Sequence, residues 1–172
     1  SSQVVFGHKR LSILDLSMAG HQPMNSKCCR YTLVFNGEIY NHNDIRNKLQ
    51  DSNEQLLEWN GHSDTETLLA AIVNWGVEKT LNECVGMFAI ALWDKDEGIL
   101  TLARDRLGEK PLYYGWQGNT FLFASELKAL KAHPNFVGEI DRDSLTLFLR
   151  YNYIPAPYSI YKGIKKLLPG SI

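Results

Sequence analysis

The stretch that decides the fold is Val34-Phe35-Asn36-Gly37-Glu38-Ile39-Tyr40-Asn41. It follows residues 31–33, which favour β-structure, so an apolar strand is predicted to enter a tight Asn-Gly corner and to leave through Ile39 and Tyr40. The corner presents the Asn36 amide, the Gly37 N–H and the Glu38 carboxylate close together. Neutral donors of this kind suit an oxyanion hole. A plain hairpin turn is the alternative, because Asn-Gly between apolar runs is a common turn signal.

Composition bounds the class of protein. The chain has 172 residues, of which 44% are hydrophobic and 22% charged, as expected for one globular domain with a full core. The 18 Lys and Arg nearly balance the 19 Asp and Glu, and the charges are scattered. This pattern argues against a nucleic-acid or membrane-surface partner. No apolar run is long enough to span a bilayer and no secretion signal opens the chain, so a cytoplasmic protein is expected.

The cysteines give no metal signature. Cys28 and Cys29 are adjacent, Cys84 stands alone, and none of the five histidines lies at a ligand spacing from them. We therefore interpret all three as small hydrophobic residues in a reducing compartment and expect no metal site.

Two charged residues in the first half are candidates for binding. Residues 4–14 are predicted to form a strand interrupted by Gly7, and alternation directs Arg10 away from Leu11 and Ile13. A guanidinium in that position suits a carboxylate ligand, and a solvent-facing arginine is the alternative. Asp64 lies in the first turn of a helix that Ser63 and Glu66 open with capping-box spacing. Its simpler role would be to support that helix terminus.

The remaining pattern alternates strands and short helices. Two hairpins are predicted, one from residues 85–93 and 99–103 and one from residues 112–116 and 120–124, together with helices near 45–49, 126–131 and 141–151. These elements indicate an α+β layered domain. Arg104-Asp105-Arg106 is interpreted as a structural ion-pair cluster rather than a phosphate site. The boundary is placed at residue 150, with residues 151–172 an ordered, Pro-rich linker.

Several long strings in one order resemble the glutaminase domain of glutamine-hydrolysing asparagine synthetases. The resemblance covers nearly the whole chain. The strings are Gly7-His8-Lys9-Arg10-Leu11-Ser12-Ile13, residues 35–41, residues 63–66, residues 103–114, residues 123–130 and Tyr153-Ile154-Pro155-Ala156-Pro157.

The resemblance implies a class II glutamine amidotransferase domain with the N-terminal nucleophile hydrolase fold, a four-layer αββα sandwich of two antiparallel sheets. In that family an N-terminal cysteine attacks the glutamine amide through a thioester, and its α-amino group is the base. Ammonia then passes to a synthetase domain of the same chain, where ATP and Mg²⁺ activate aspartate to make asparagine. The glutaminase domain itself is expected to hold no cofactor. A homodimer is a further possibility that this resemblance leaves open.

The resemblance also assigns roles by position. Arg10 matches the residue that holds the glutamine α-carboxylate, Asp64 matches the acid that receives its α-ammonium, and Asn36 with Gly37 matches the oxyanion hole. Glu38 lies beside them as a substrate-binding residue. Leu11 and Ser12 are expected to line the same pocket through their backbone. These roles agree with the chemistry of the side chains, because a zwitterionic amino acid needs one cation, one anion and a neutral donor pair.

One departure from the family pattern is expected to matter. Cys28, Cys29 and Cys84 are internal and match no nucleophile, and the family's opening segment is not matched by any residue here. Residues 1–172 alone are therefore predicted not to hydrolyse glutamine. Alternatives are the glutaminase domain of another amidotransferase, such as glucosamine 6-phosphate synthase or a synthetase-like enzyme of polysaccharide or antibiotic synthesis, and a non-catalytic domain that binds glutamine or a protein partner.

Overall fold

The chain divides into two units, Ser1–Leu102 and Ala103–Ile172, each of which contains both strands and helices. The computed structural model describes residues 4–9, 17–52 and 57–172. Within these ranges no helix combines the length and apolar character needed to cross a bilayer.

The first unit is built on a four-stranded sheet with strand order β1-β2-β3-β4. Its strands are β1 (Met24–Asn25), β2 (Tyr31–Ile39), β3 (Gly86–Asp94) and β4 (Ile99–Arg104), the last of which continues two residues past the end of the unit. After a 3-10 turn at Met18–Gly20, its helices are α1 (His42–Asp51), α2 (Asp64–Trp75) and α3 (Val77–Glu83). Helix α2 contacts both β2 and α1. The sequence prediction missed α3, because Gly76 ends α2 and the next helix begins at once.

Strand β2 has one core face. Leu33, Phe35 and Ile39 are buried, whereas the residues between them are half-buried. This period of two follows from the pleat, which directs successive side chains to opposite faces. The apolar core face therefore fixes the register of β2, and with it the positions of the polar residues on the other face.

The Asn-Gly corner predicted from the sequence is wrong. Strand β2 runs without a turn through Asn36 and Gly37, which pair with Ala89 and Phe88 of β3. Nine residues of β2 pair with nine of β3, and this long ladder outweighs the local turn preference. Gly37 is needed for close approach instead: a Cβ there would overlap the Met87 carbonyl oxygen and lie 2.7 Å from the Phe88 Cα.

We expect Gly37→Ala to destabilise the domain by about 3 kcal/mol, because the backbone of β3 must move to admit a methyl group. The melting temperature should fall by about 6–10 °C. Gly7→Ala is the matched control, since a Cβ at Gly7 meets nothing within 4 Å. Equal melting temperatures for the two variants in calorimetry would contradict the close-approach role.

The second unit contains a three-stranded sheet with strand order β6-β5-β7. Its elements are β5 (Tyr113–Gln117), β6 (Thr120–Ala124), α4 (Leu127–Lys131), α5 (Arg142–Tyr151) and β7 (Ile164–Lys166). Leu122, Leu130 and Ile164 form its buried cluster. The sequence prediction missed β7, which pairs with β5 within the segment interpreted as a linker. The domain boundary at residue 150 stays a prediction.

The two hairpins predicted from the sequence, β3–β4 and β5–β6, are confirmed, and so is the helix at residues 141–151. The strand predicted over residues 4–14 is wrong for residues 4–9, which form no strand, and its remainder lies outside the described residues. Gly7 interrupts that apolar stretch.

The Arg104–Arg106 segment has a structural role through contacts with main-chain groups, and the predicted ion-pair cluster stays a prediction. Arg104 donates hydrogen bonds to the carbonyl oxygens of Gly108, Lys110 and Leu167. Asp105 accepts from the backbone N–H groups of three residues, Leu107, Glu109 and Lys110. The contacts of both side chains with main-chain groups fix the conformation of this loop.

Candidate functional site

Asn36 and Glu38 share the half-buried face of β2, opposite the buried Phe35 and Ile39. Gly37 lies between them. The strand thus places an amide and a carboxylate on the same face, separated by a residue that has no side chain. This is the set that the sequence predicted, now on a straight strand rather than a turn.

The backbone of β2 offers a donor at the same position. The N–H groups of Phe35 and Ile39 bond to side chains rather than to β3, so both point to the outer edge of the strand. Because N–H directions alternate along an antiparallel ladder, the Gly37 N–H points to that edge as well. Strand β1 pairs only with Leu33 and Thr32. Among the described residues, neither β1 nor a side chain accepts a hydrogen bond from Gly37.

Asp64, the first residue of α2, reaches this edge. One carboxylate oxygen accepts a hydrogen bond from Ile39 N at 3.0 Å, and the other lies 3.5 Å from the Thr65 hydroxyl. Asp64 is only 6% exposed, and in the described part of the chain it forms no ion pair with Lys or Arg. A buried carboxylate without a cation is costly, so the arrangement favours a positively charged ligand.

The start of α2 is fixed by Arg46 of α1. Its guanidinium donates to the Thr67 hydroxyl at 2.7 Å and to the carbonyl oxygens of Gly61 and Ser63 at 3.0 and 3.1 Å. It also lies over the Trp59 ring at 4.2 Å from the centroid. Arginine suits this role because its guanidinium carries five N–H donors in a fixed plane. Arg46 therefore fixes the position of the segment that contains Asp64.

The predicted capping box at α2 is half formed. Ser63 Oγ accepts from Glu66 N at 3.2 Å, as expected for an N-cap. The Glu66 carboxylate accepts from the N–H groups of Asn60 and Gly61 rather than from Ser63. Glu66 therefore secures the preceding loop, which Arg46 also holds.

His42 is a neighbour of the site that the sequence prediction missed. Burial lowers the pKa of its imidazole, against the opposing effect of the Asp64 carboxylate; the Arg46 guanidinium lowers this pKa further and the Glu38 carboxylate raises it. Its Nδ1 is buried and has no hydrogen-bond partner in the described part of the chain. The folded protein thus favours the neutral imidazole.

This pKa shift predicts a pH effect on stability. The unfolded histidine has the ordinary pKa of 6.5 and protonates first as the pH falls. The stabilising effect of the neutral form is therefore complete above about pH 6.5 and is lost as the pH falls toward the lower folded-state pKa. Denaturant unfolding between pH 7.5 and 5 should show a shallower loss of stability for His42→Gln than for the wild type. Parallel curves would contradict this account.

The structure does not test every predicted site residue. It brings Asn36, Gly37, Glu38 and Asp64 to one strand edge through β2 and the start of α2. Arg10, Leu11 and Ser12 lie outside the described residues. Their roles stay predictions from the resemblance.

The three cysteines all lie outside strand β2. Cys28 and Cys29 lie in the turn that precedes β2, whereas Asn36–Glu38 lie near its end, and Cys84 is fully buried after α3. The Ser26 hydroxyl lowers the pKa of the Cys28 thiol by hydrogen bonding. The interpretation as buried hydrophobic residues holds for Cys84 alone, because the other two are exposed. Among the described residues no group of three His, Cys, Asp or Glu could hold a metal ion.

Two antiparallel sheets with flanking helices make this an α+β protein, as the sequence predicted. The fold is similar to that of the glutamine phosphoribosylpyrophosphate amidotransferase from B. subtilis complexed with ADP and GMP. That structure aligns with a TM-score of 0.58 at 23% sequence identity, over 72% of this chain and 28% of that chain. The likeness concerns the fold, which this α+β domain shares with that amidotransferase.

The chain belongs to the family described as the glutamine amidotransferase domain, whose model matches residues 1–172. It is 41% identical over 169 residues to asparagine synthetase [glutamine-hydrolyzing] 3 of Bacillus subtilis, covering 96% of this chain and 27% of that protein. It is 39% identical over 177 residues to a putative asparagine synthetase [glutamine-hydrolyzing] 2 of Methanocaldococcus jannaschii, covering 94% of this chain and 33% of that protein. The chain thus spans about a third or less of these relatives.

A relative with a different name also matches. The chain is 33% identical over 167 residues to amidase chyE of Penicillium rubens, covering 95% of this chain and 23% of that protein. The family resemblance inferred from the sequence strings is confirmed by the family model and by these relatives.

Proposed function

We propose that this domain binds L-glutamine along the outer edge of β2 and releases its side-chain amide as ammonia within the whole protein. The observation that carries the proposal is the buried Asp64 carboxylate, 6% exposed, bonded to Ile39 N two residues beyond Gly37. An acceptor for an ammonium group thus shares one strand edge with the Gly37 N–H, which has no acceptor among the described residues. The family membership supports the same ligand.

The spacing along β2 supports this pose. Two residues of a strand span about 6.5–7 Å, so Gly37 N and Ile39 N lie about that far apart. The Asp64 carboxylate is bonded to Ile39 N at the far end of this span. This length is comparable with an extended glutamine molecule from its side-chain carbonyl to its α-ammonium group. The carbonyl oxygen would bond to Gly37 N–H and the Asn36 amide, and the ammonium to Asp64 and Glu38. Arg10 would take the α-carboxylate.

The chemistry proposed is acyl transfer through a thioester. A thiolate attacks the amide carbon, the oxyanion is held by Asn36 and Gly37, and ammonia leaves with a proton from the base. Water then attacks the thioester, so one glutamine and one water give one glutamate and one ammonia. Cys28 and Cys29 precede β2 and are exposed, and Cys84 is fully buried after α3, which supports the proposal that residues 1–172 alone bind glutamine without turnover.

The ammonia would be used by a synthetase domain of the same chain, in which ATP and Mg²⁺ activate aspartate. The names of the relatives and their greater length support this proposal. A homodimer and a cytoplasmic location belong to the same proposal. The glutaminase domain needs no cofactor for the acyl transfer, because its donors and carboxylates are all protein groups.

Isotope transfer tests the proposed function. The whole protein, supplied with glutamine labelled with ¹⁵N in the side-chain amide, aspartate, ATP and Mg²⁺, should form asparagine labelled in its amide. Glutamate should appear in at least equal amount, and free ammonium should replace glutamine as the nitrogen source. Absence of both glutamate and labelled product in a correctly folded preparation would overturn the proposal.

A second candidate keeps the glutaminase and changes the acceptor. The similarity to the amidase chyE favours it, because a relative with this domain carries another name. In that case the same experiment would give glutamate and ammonia but no asparagine. Acceptors bearing other carboxyl groups would then be screened with the labelled glutamine.

A further inference from the structure

The outer edge of β2 is held by side chains where β1 ends. Strand β1 pairs only with Thr32 and Leu33, so the N–H groups from Phe35 onward have no neighbouring strand on that side among the described residues. At Phe35 and Ile39 the backbone N–H groups donate hydrogen bonds to side chains instead of to a strand. Asn36, Gly37 and Glu38 lie between these two attachment points.

Gln22 makes the first attachment. Its Oε1 accepts a hydrogen bond from Phe35 N at 2.6 Å, and its Nε2 donates to the Thr65 hydroxyl at 3.4 Å. The residue is 6% exposed, so its amide is directed into the protein on both sides. Gln22 therefore connects the residue before Asn36 with the residue after Asp64.

The contacts form a continuous chain from one end of the site to the other. From Gln22 the chain continues through the Thr65 hydroxyl, 3.5 Å from one Asp64 oxygen, and the other Asp64 oxygen accepts from Ile39 N at 3.0 Å. Gln22 and Thr65 each accept on one side and donate on the other, and the chain ends at the Asp64 carboxylate, which accepts on both sides. The chain sets the distance between the start of α2 and the segment 36–38.

We propose that Gln22 is a positioning residue for the glutamine site. It fixes the oxyanion donors at Asn36 and Gly37 relative to the ammonium acceptor at Asp64, and this inference rests on the proposed function. A neutral amide fits the role, since Oε1 accepts from a backbone N–H and Nε2 donates to a hydroxyl. Glutamate supplies the acceptor alone, and methionine fills similar space with neither group.

The test compares Gln22→Met with Gln117→Met in the whole protein. Gln117 is a matched control in the second unit, because it is 5% exposed and its amide also bonds to backbone groups, those of Trp116, Lys162 and Val137. We expect Gln22→Met to lower kcat for glutamine hydrolysis about 10-fold to 100-fold at a temperature where the protein is folded, with a smaller change in KM. Gln117→Met should lose thermal stability while its kcat stays at the wild-type value.

A second pair of variants covers the case in which Gln22→Met does not fold. Thr65→Val removes the hydroxyl that accepts a hydrogen bond from Gln22 Nε2 and should lower kcat, as Gln22→Met does. Thr65→Ser keeps the hydroxyl and should have the wild-type kcat. Backbone hydrogen exchange gives a readout independent of turnover. The Phe35 N–H should exchange faster in Gln22→Met than in the wild type, and its exchange rate should be unchanged in Gln117→Met.

The outcomes separate the two proposals. If the wild type hydrolyses glutamine and folded Gln22→Met keeps its kcat and KM, or if Thr65→Val behaves as Thr65→Ser, the positioning role is overturned and the proposed function stands. If the wild-type protein neither binds nor hydrolyses glutamine, the proposed function fails and the role of Gln22 fails with it. A fall in kcat confined to Gln22→Met and Thr65→Val supports the inference.

Discussion

Asn36→Ala should lower kcat for glutamine hydrolysis by the whole protein about 100-fold to 1,000-fold, which is the usual effect of removing one oxyanion-hole donor. In the proposed pose the Asn36 amide donates a hydrogen bond to the glutamine carbonyl oxygen, whose negative charge is greatest in the transition state. KM for glutamine should therefore change far less than kcat. Steady-state kinetics with glutamate as the measured product provides both constants.

Asn25→Ala is the control for this variant. Asn25 lies in the same sheet, and its side-chain Oδ1 accepts a hydrogen bond from the Thr32 hydroxyl at 2.7 Å. The substitution therefore also removes a polar contact of an asparagine side chain. It should keep the wild-type kcat. If Asn36→Ala raises KM and leaves kcat unchanged, Asn36 binds the substrate without stabilising the oxyanion, and the assigned role is wrong.

Asp64→Asn should weaken glutamine binding about 10-fold to 100-fold, because a hydrogen bond to a charged group is worth about 1.5–3 kcal/mol. The substitution keeps an oxygen that can accept from Ile39 N, so the start of α2 should stay in place. It removes the negative charge that, in the proposed pose, faces the α-ammonium group. Calorimetric titration of the chain with L-glutamine measures the change in Kd.

Asp143→Asn is the matched control, since Asp143 is an exposed acid in the first turn of α5. It should bind glutamine as the wild type does. A wild-type Kd for Asp64→Asn would show that the buried carboxylate serves only to hold Ile39, which is the simpler role considered for it from the sequence.

Local patterns predicted the hairpins and the helix starts because these depend on residues close in sequence. The β3–β4 and β5–β6 hairpins follow from apolar runs separated by polar turns, and α2 follows from Ser63 at its N-cap. The same local reasoning failed at Asn36-Gly37. There the long pairing with β3 decides the conformation, and a single sequence does not show which strand pairs with which.

The supporting residues of the site could not be predicted for the same reason. Gln22 contacts residues 13 and 43 positions away, and Arg46 contacts Thr67 across 21 positions. Gln22 precedes a proline in a loop and Arg46 occupies the middle of a short polar helix, so neither carries a local signal. The candidates Asn36, Gly37, Glu38 and Asp64 could be named from the sequence because each lies within a short family string, and their roles stay predictions.

The central claim is that glutamine lies along the outer edge of β2, with its carbonyl at Gly37 and its ammonium at Asp64. The most direct test is the amide ¹⁵N–¹H spectrum of the ¹⁵N-labelled chain during addition of L-glutamine. The Gly37 signal should move and saturate, the Gly115 signal in β5 should stay in place, and Asp64→Asn should require a higher glutamine concentration for the same shift. A Gly37 signal that does not move at saturating glutamine would contradict the account.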